Sequence, residues 1–357
     1  MTKLKESIFF KVKDNKLILW DYELHNQYEI DISYLNRILE LGVGKPLTEL
    51  QIDKELKAAS IFEEDVKHKN IWGWDDLSHI FHFGTNHPES PKNTIDDEKS
   101  AIDYAKEYIE FCKSISSDIP ELEILKTNQI IKLPKFRNIF KEKNLWESLI
   151  NRKVSRDFNG ESVHIHDLSE LLYATFGKQD RKEPTLPKTY KSFGYHRTSP
   201  ASGNLQCVEP YIWVRNVEGI EPGLYHYLSL RHQLEIIQEG LPDIHLGAYL
   251  CNQNWANQLS FAIILTCRFD KMWWKYPHSR AYRPMLMDVG HLSQTLNLLM
   301  TSIGIHTWIT GYFHDKEIAE LLLCDMTIES PFLLIGGGYG TGSSLSKADQ
   351  KILLNIK

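Results

Sequence analysis

Cysteine is scarce in this chain, and its positions form no recognisable framework. There are five cysteines in 357 residues, and no two of them make a CxxC pair (Cys112, Cys207, Cys251, Cys267 and Cys324). An odd, scattered set argues against a disulfide scaffold and against a thiolate zinc site. The pair His164-x-His166 has no third ligand at a recognisable spacing, so we predict two strand-borne histidines and no metal. A reducing compartment fits this cysteine usage, and we expect a cytoplasmic protein.

Long apolar runs and an excess of positive charge are also missing. No stretch approaches the roughly 18 uninterrupted apolar residues of a membrane span. The opening MTKLKESIFFKV has basic residues but lacks the apolar segment of a signal peptide. The net charge of -6 disfavours a protein built to grip a polyanion. We therefore expect neither a membrane nor a nucleic acid as partner.

The usual nucleotide fingerprints are absent as well. The segment Gly336 to Ser344, GGGYGTGSS, is rich in glycine but lacks the GK[ST] that ends a P-loop. No strand pattern is followed by GxGxxG, which excludes a Rossmann dinucleotide site. Binding of a nucleoside triphosphate or a nicotinamide dinucleotide through these motifs is therefore rejected.

The N-terminal part has a pattern of short strands followed by short helices. Asp14-Asn15 predicts a turn between the first two strands of an antiparallel sheet. The strand and helix patterns follow in the order IFFKV, KLILWDY, QYEIDI, Ser33 to Leu41, and a stretch from Thr48. This order predicts a winged-helix-like module. Such modules bind either peptide or DNA, and the lack of a basic recognition helix disfavours DNA.

The length favours more than one domain, and the texture changes along the chain. We assign residues 1–95 to the winged-helix-like domain, 96–140 to a helical connection and 141–357 to a catalytic domain. In the last part, helical and strand patterns alternate, which predicts a mixed α+β or α/β layer architecture. The helical patterns are Asp167–Phe176, Met287–Ile303 and Asp315–Leu323; the strand patterns are Pro210–Arg215, Ser260–Arg268 and Phe332–Ile335.

Three segments of the catalytic part hold residues that are able to carry chemistry. The first, NRKVSRDF, clusters Arg152, Lys153 and Arg156, and clustered cations bind phosphate through charge-assisted hydrogen bonds. The second, RTSPASGNLQCVE, places small residues and amides in a loop before a strand, which lets a flat ring approach the backbone. The third, WKYPHSRAYR, sets a lysine beside a tyrosine, and an ammonium stabilises a phenolate. Taken singly, these segments are better explained as a solvated basic turn, an ordinary loop and an aromatic surface loop.

The order of these motifs resembles that of the nitroreductase-like flavoproteins. Arg-Lys-x-x-Arg is followed by R-x-x-P-x-S-G-N-x-Q, G-L-Y-H-Y, W-K-Y-x-x-R-A-Y-R and D-x-G-H-x-x-Q-x-L-x-L. The stretches VEGIEPGLYHY and WKYPHSRAYR resemble more narrowly the SagB/ThcOx-type azoline dehydrogenases. The resemblance covers about residues 145–340, and WGWDDLSHIFHFGTN is similar to a stretch that precedes the catalytic domain in these proteins.

The resemblance implies a fold, a cofactor and a set of site residues. It implies an α+β, nitroreductase-like fold that binds flavin mononucleotide (FMN) at the interface of a homodimer. The implied phosphate contacts are Arg152, Lys153 and Arg156; the implied flavin contacts are Ser202, Gly203, Asn204 and Gln206; the implied catalytic pair is Lys275 and Tyr276. Two departures stand out, because Val154 occupies the place of a serine that binds phosphate, and Ala201 that of a serine in the flavin loop.

The implied function is oxidation of thiazolines or oxazolines in a ribosomally made peptide to thiazoles or oxazoles. Its implied partners are the precursor peptide, held by the N-terminal domain, and a cyclodehydratase complex. Two alternatives remain: an NAD(P)H-dependent flavin reductase acting on a small molecule or dehydroamino acid, and a non-catalytic scaffold that uses FMN structurally.

Overall fold

The computed structural model describes residues 4–62, 72–86, 98–116, 118–180 and 193–354. The chain divides into two compact units, Met1–Ser100 and Ala101–Lys357. The boundary that we placed between residues 95 and 96 lies outside the described residues.

The first unit combines a small antiparallel sheet with helices. Its elements are β1 (Ile8–Lys13), β2 (Lys16–Asp21), β3 (Asn26–Ile30), α1 (Ile32–Gly42), α2 (Gln51–Ala58) and α3 (Asp76–Gly84). The strands pair in the order β1-β2-β3. Asp14 and Asn15 connect β1 to β2 with φ of 51° and 60°, the left-handed backbone of a tight hairpin turn. The predicted strands, turn and first two helices are confirmed.

Apolar side chains of strand and helix form the core of this unit. Leu19, Ile38, Leu41, Leu56 and Ile61 are all buried together. The one-face spacing read from α1 and α2 thus marks the faces that are removed from water, which is the main stabilising contribution to such a small domain.

A third helix, α3, joins the sheet through a polar contact between aromatic rings. The side chain of Asp75 caps its N-terminus by accepting from the Ser78 N–H at 3.0 Å. A hydrogen bond of 2.7 Å joins the hydroxyl of Tyr22, just after β2, to Nδ1 of His79. The segment WGWDDLSHIFHFGTN therefore contributes a helix to the first unit, which its sequence alone did not predict.

The second unit holds most of the chain. Its elements, of which α4 begins just before the unit boundary, are α4 (Glu98–Ser114), β4 (Ile130–Lys132), α5 (Leu145–Asn151), β5 (Val163–His164), α6 (Ile165–Phe176), β6 (Val208–Val214), β7 (Val217–Glu218), β8 (Gly223–Leu228), β9 (Gln233–Glu239), α7 (Leu246–Tyr249), β10 (Phe261–Arg268), α8 (Phe269–Lys275), α9 (Tyr282–Ser302), β11 (His306–Thr310), α10 (Asp315–Leu321), β12 (Glu329–Gly338) and α11 (Lys347–Leu354).

A seven-stranded sheet organises the second unit. Its strand order is β11-β12-β10-β6-β8-β9-β4, and each neighbouring pair is antiparallel. Antiparallel pairing with helices on the faces is an α+β arrangement, so the predicted fold class is confirmed. The sheet places the segments before β6 and after β10 side by side at one end, because β6 and β10 are adjacent and antiparallel.

The two faces of this sheet contribute to separate apolar clusters. Along β6, Ile212 and Val214 belong to the cluster that includes α6 and α9, whereas Tyr211 and Trp213 belong to the cluster on the opposite side. This is the period-two alternation of a strand buried on both faces. The long helix α9 contributes Leu292, Leu296 and Met300 to the first cluster and thereby lies against the sheet.

Of the two histidines predicted to lie in a strand, His164 does so and His166 does not. His164 ends β5 and His166 lies in the first turn of α6, with their rings stacked at 5.0 Å. The His164 side chain accepts from the His166 N–H, so it caps the helix. Across the described ranges, no group of three or more metal-ligating side chains comes together. None of the described helices is both long and apolar enough to span a membrane.

Candidate functional site

The segment from Ser202 to Gln206 forms a sharp loop ahead of β6. A short 3-10 turn covers Ser202–Asn204, and Gly203, Asn204 and Gln206 have φ of 58°, 59° and 52°. Left-handed backbone at three of five residues turns the chain tightly, and glycine accepts it without strain. Gln206 is buried and donates from Nε2 to the Tyr195 carbonyl at 2.8 Å.

A buried carboxylate of α9 fixes the start of this loop. Asp288 accepts from the Ser202 N–H at 3.0 Å and from the Ser202 hydroxyl at 3.0 Å. Burial raises the pKa of Asp288, while the two Ser202 donors act in the opposite direction. Asp288 opens the D-x-G-H motif, but its contact with a loop 86 residues away could not be read from the sequence.

The Lys275 and Tyr276 side chains meet this loop at Gly203. Lys275 ends α8, and its ammonium donates to the Gly203 carbonyl at 3.4 Å. A Cβ placed on Gly203 would collide with the Tyr276 hydroxyl and lie 3.0 Å from Lys275 Nζ. The structure therefore brings the predicted catalytic pair against the predicted flavin loop, two segments separated by about seventy residues.

The protonation of Tyr276 differs from the expectation based on its neighbour. Burial raises the pKa of the Tyr276 hydroxyl above its ordinary value, and Lys275 lowers it only in part. The ammonium acts in the predicted direction, but desolvation of the phenolate outweighs it. At neutral pH the hydroxyl is therefore protonated in the protein alone.

The basic cluster lies beside the glycine-rich segment, which begins in the last residues of β12 and continues past its end. The Arg156 N–H donates to the Ser343 carbonyl at 2.7 Å, and its guanidinium donates to the Ser344 carbonyl at 2.8 Å. A Cβ on Gly342 would lie 3.1 Å from Lys153 Nζ. The sequence excluded GGGYGTGSS as a P-loop and did not connect it with the cations, yet the two segments form one surface.

The remaining members of this region are Arg152 and the two residues after Lys153. Arg152 is the C-cap of α5. Val154 stands where the family pattern has a serine, but Ser155 follows it. Its hydroxyl is buried and has no hydrogen-bond partner among the described residues. An unused buried donor beside a cationic cluster and a glycine-rich turn is the donor set that a phosphate group requires.

A network of buried charged side chains contacts the end of the loop at Gln206. The Lys271 ammonium donates to Glu209 Oε1 at 2.6 Å and to the Gln206 carbonyl at 3.1 Å. His226, from the G-L-Y-H-Y motif, lies between Glu209 at 3.7 Å and Glu235 at 3.4 Å. Burial alone would raise the pKa of Glu209, but Lys271 and His226 outweigh it and hold that pKa well below its usual range. The network thus joins α8 to the end of the predicted flavin loop.

The chain matches one family of known proteins over more than half of its length. Residues 149–339 match the model described as the nitroreductase family. All of the site residues predicted from the sequence fall within that range.

Curated relatives show the same similarity. The nitroreductase-type protein MJ1384 of Methanocaldococcus jannaschii is 29% identical over 208 residues, which are 58% of this chain and 95% of that protein. The trifolitoxin-processing protein TfxB of Rhizobium leguminosarum bv. trifolii is 30% identical over 135 residues, which are 37% of this chain and 36% of TfxB. The trifolitoxin operon protein TfxC of the same organism is 24% identical over 197 residues, or 54% of each chain. The match thus spans about a third of TfxB and about half of TfxC.

Proposed function

We propose that this chain, which belongs to the nitroreductase family, is an FMN-dependent dehydrogenase that oxidises peptide thiazolines or oxazolines to thiazoles or oxazoles. The observation that carries the proposal is the convergence of Lys275 and Tyr276 on Gly203 of the loop. A proton-transfer pair at the edge of a flat-ring site suits removal of hydrogen from a small heterocycle.

The residues present fit FMN as the cofactor. Arg152, Lys153 and Arg156 would hold the phosphate, with the unused hydroxyl of Ser155 as an additional donor. Ser202, Gly203, Asn204 and Gln206 would hold the ring system. Bound FMN would supply the acceptor for the two electrons that leave the substrate.

The protein's own part in the reaction is positioning and proton transfer. Tyr276 accepts the proton that leaves the α-carbon of the azoline, once its own proton has been lost. The Lys275 ammonium lowers the pKa of Tyr276 and stabilises the phenolate form. The aromatic side chains around the pair limit access of water. The α-proton and a hydride together account for the two hydrogens that the ring loses.

A peptide substrate is supported by the relatives and by the first unit. TfxB is named for processing of trifolitoxin, and the match with this chain covers part of it. The first unit has three strands followed by helices, the order predicted for a peptide-binding winged-helix module. We propose that this unit holds the precursor peptide while a cyclodehydratase complex delivers the azolines.

A homodimer belongs to the same proposal. α5 packs against α9, and both helices carry exposed apolar side chains, among them Trp146, Ile150 and Met287. Exposed apolar side chains grouped in one region are typical of a protein–protein interface. Light scattering at micromolar concentration should give the mass of two chains; a monomer that retains flavin would contradict this part.

The second candidate is an NAD(P)H-dependent flavin reductase. It is favoured by the likeness to MJ1384, which the match covers almost completely. The two functions differ in what reduces the flavin. Rapid bleaching of the flavin by NAD(P)H, with no effect of an azoline peptide, would favour the reductase.

The test of the proposal uses the purified full chain and a synthetic peptide with one thiazoline. The wild-type protein should show a flavin absorbance spectrum and remove two hydrogens from the peptide, as measured by mass spectrometry. Tyr276→Phe and Lys275→Ala should each lose about 10²–10⁴ in rate and keep the spectrum. Tyr312→Phe, an exposed tyrosine outside the site, serves as control. Oxidation at the wild-type rate in both variants would refute the assigned roles.

A further inference from the structure

The Lys275 ammonium is enclosed by aromatic rings, one of which comes from outside the segment that matches the family. Its Nζ lies 5.4 Å from the ring centre of Tyr276, 5.3 Å from that of Phe193 and 5.7 Å from that of Tyr108. Tyr108 lies on α4, about forty residues before the matched range begins. The three distances are within the range of a cation–π interaction.

The enclosure compensates a charge that would otherwise be costly to bury. Lys275 is only 4% exposed, and no carboxylate among the described residues pairs with it. Its polar contacts there are the Gly203 carbonyl at 3.4 Å and the hydroxyl of Tyr276. A buried ammonium without a counter-ion must be stabilised by other means, and ring faces provide a partly negative surface.

Tyr108 is the outermost of the three rings. It is 41% exposed, whereas Phe193 and Tyr276 are half-buried. It also acts on the neighbouring hydroxyl, because Tyr108 adds to the rise in the pKa of Tyr276. Tyr108 is therefore the most exposed of the rings around Lys275 and lies close to Tyr276.

We propose that Tyr108 of α4 is a positioning residue of the Lys275–Tyr276 pair: its ring shields the ammonium from water and holds it at Gly203. The role in oxidation rests on the proposed function, but the shielding of Lys275 does not. What matters is the ring face rather than the hydroxyl, so phenylalanine at position 108 preserves it and leucine does not.

The experiment measures the reactivity of Lys275 in the full-length protein by trace acetylation with acetic anhydride and peptide mass spectrometry. Loss of the ring in Tyr108→Leu should make Lys275 react about three- to tenfold faster, in line with the strength of a partly desolvated cation–π contact. Tyr108→Phe should stay within about twofold of the wild-type rate. Tyr104→Leu, one turn earlier on α4 and 71% exposed, is the matched control and should also leave Lys275 unchanged.

Oxidation of the thiazoline peptide is the second readout. It should fall in Tyr108→Leu and be retained in Tyr108→Phe and Tyr104→Leu. The inference would be overturned if Lys275 were acetylated at the same rate in Tyr108→Leu and Tyr104→Leu. It would also be overturned if Lys275 were acetylated as fast in Tyr108→Phe as in Tyr108→Leu. If the wild-type protein oxidises no azoline, the proposed function is overturned. If Lys275 is nevertheless acetylated faster in Tyr108→Leu alone, the shielding by Tyr108 is established.

Discussion

Position 203 is held to glycine for two separate reasons. Its φ of 58° is left-handed, and a side chain there would collide with the Tyr276 hydroxyl. The first reason concerns the backbone alone, whereas the second concerns the proposed catalytic pair. The two can be separated because Gly240 also has a left-handed φ, of 72°, with no atom within 4 Å of an added Cβ.

We predict that Gly203→Ala and Gly240→Ala have a similar cost in stability but different effects on the reaction. Each substitution should cost about 1–2 kcal/mol of unfolding free energy, because left-handed backbone disfavours a Cβ. Only Gly203→Ala should displace Tyr276 and slow azoline oxidation, by at least about tenfold. Urea unfolding and peptide turnover measure the two effects; equal turnover in both variants would contradict the contact.

The protonation of Tyr276 leads to a prediction about pH. Since burial raises its pKa above the ordinary value of about 10, the phenolate is a minor form at neutral pH. If the phenolate is the base, turnover should rise by close to tenfold per unit between about pH 7 and about pH 10. The residual rate of Tyr276→Phe should lack this slope. If wild-type turnover did not change with pH under conditions where the chemical step limits the rate, another group would be the base that takes the proton.

At the scale of elements, α8 connects the site to the interior of the sheet. Lys275 at its end faces Gly203, and Lys271 one turn earlier contacts Glu209 and the Gln206 carbonyl. The helix thus reaches the loop Ser202–Gln206 through both lysines. A substitution that breaks the pair of Lys271 and Glu209 is therefore expected to shift the loop at Gln206 as well.

Removing one partner of this buried pair should be strongly destabilising. Lys271→Met or Glu209→Gln should each cost about 3–5 kcal/mol, because the remaining charge stays buried without its partner. The double variant should cost less than the sum of the two. Lys316→Met, which breaks an exposed pair with Glu320 on α10, is the control and should cost under about 1 kcal/mol. Additive losses in the buried pair, by urea denaturation, would show that the two charges do not interact.

The turn after β12 and the segment after α5 together form the proposed phosphate site. Arg152→Ala combined with Arg156→Ala should release FMN, since each charge-assisted contact with phosphate contributes about 1.5–3 kcal/mol. Fluorescence titration with FMN measures the loss of affinity, and the exposed Lys316→Ala is the control. Full flavin occupancy in the double variant would place the phosphate elsewhere.

At the scale of the whole molecule, the chain consists of two compact units with different proposed tasks. The first unit presents exposed apolar side chains on α1, including Leu39, which is 59% exposed. If α1 holds the precursor peptide, Leu39→Lys should weaken binding by at least about tenfold while the flavin spectrum is unchanged. Val12→Lys on β1, at a comparably exposed position, is the matched control. Calorimetry with the precursor peptide measures both; equal affinities would exclude this face of α1.

The sequence by itself determined the features that depend on neighbouring residues. The Asp14-Asn15 turn, the spacing of α1 and the alternation along β1 and β2 are local, and each was predicted. The order of the motifs likewise identified the family. By contrast, β8 and β9 were not predicted. Their sequences GLYHYL and QLEIIQE carry polar residues within the strand, and the fold pairs two of these, His226 and Glu235, in its interior.

Only the tertiary structure decided which distant residues meet. Three contacts join segments that are far apart in the chain: Asp288 with Ser202, Lys271 with the Gln206 carbonyl, and Tyr108 with Lys275. The tertiary structure also raised the pKa of Tyr276, because burial depends on the packed fold and not on the adjacent lysine. Neighbouring residues carry turn and periodicity information, whereas long-range contacts and desolvation exist only once the sheet has brought its strands together.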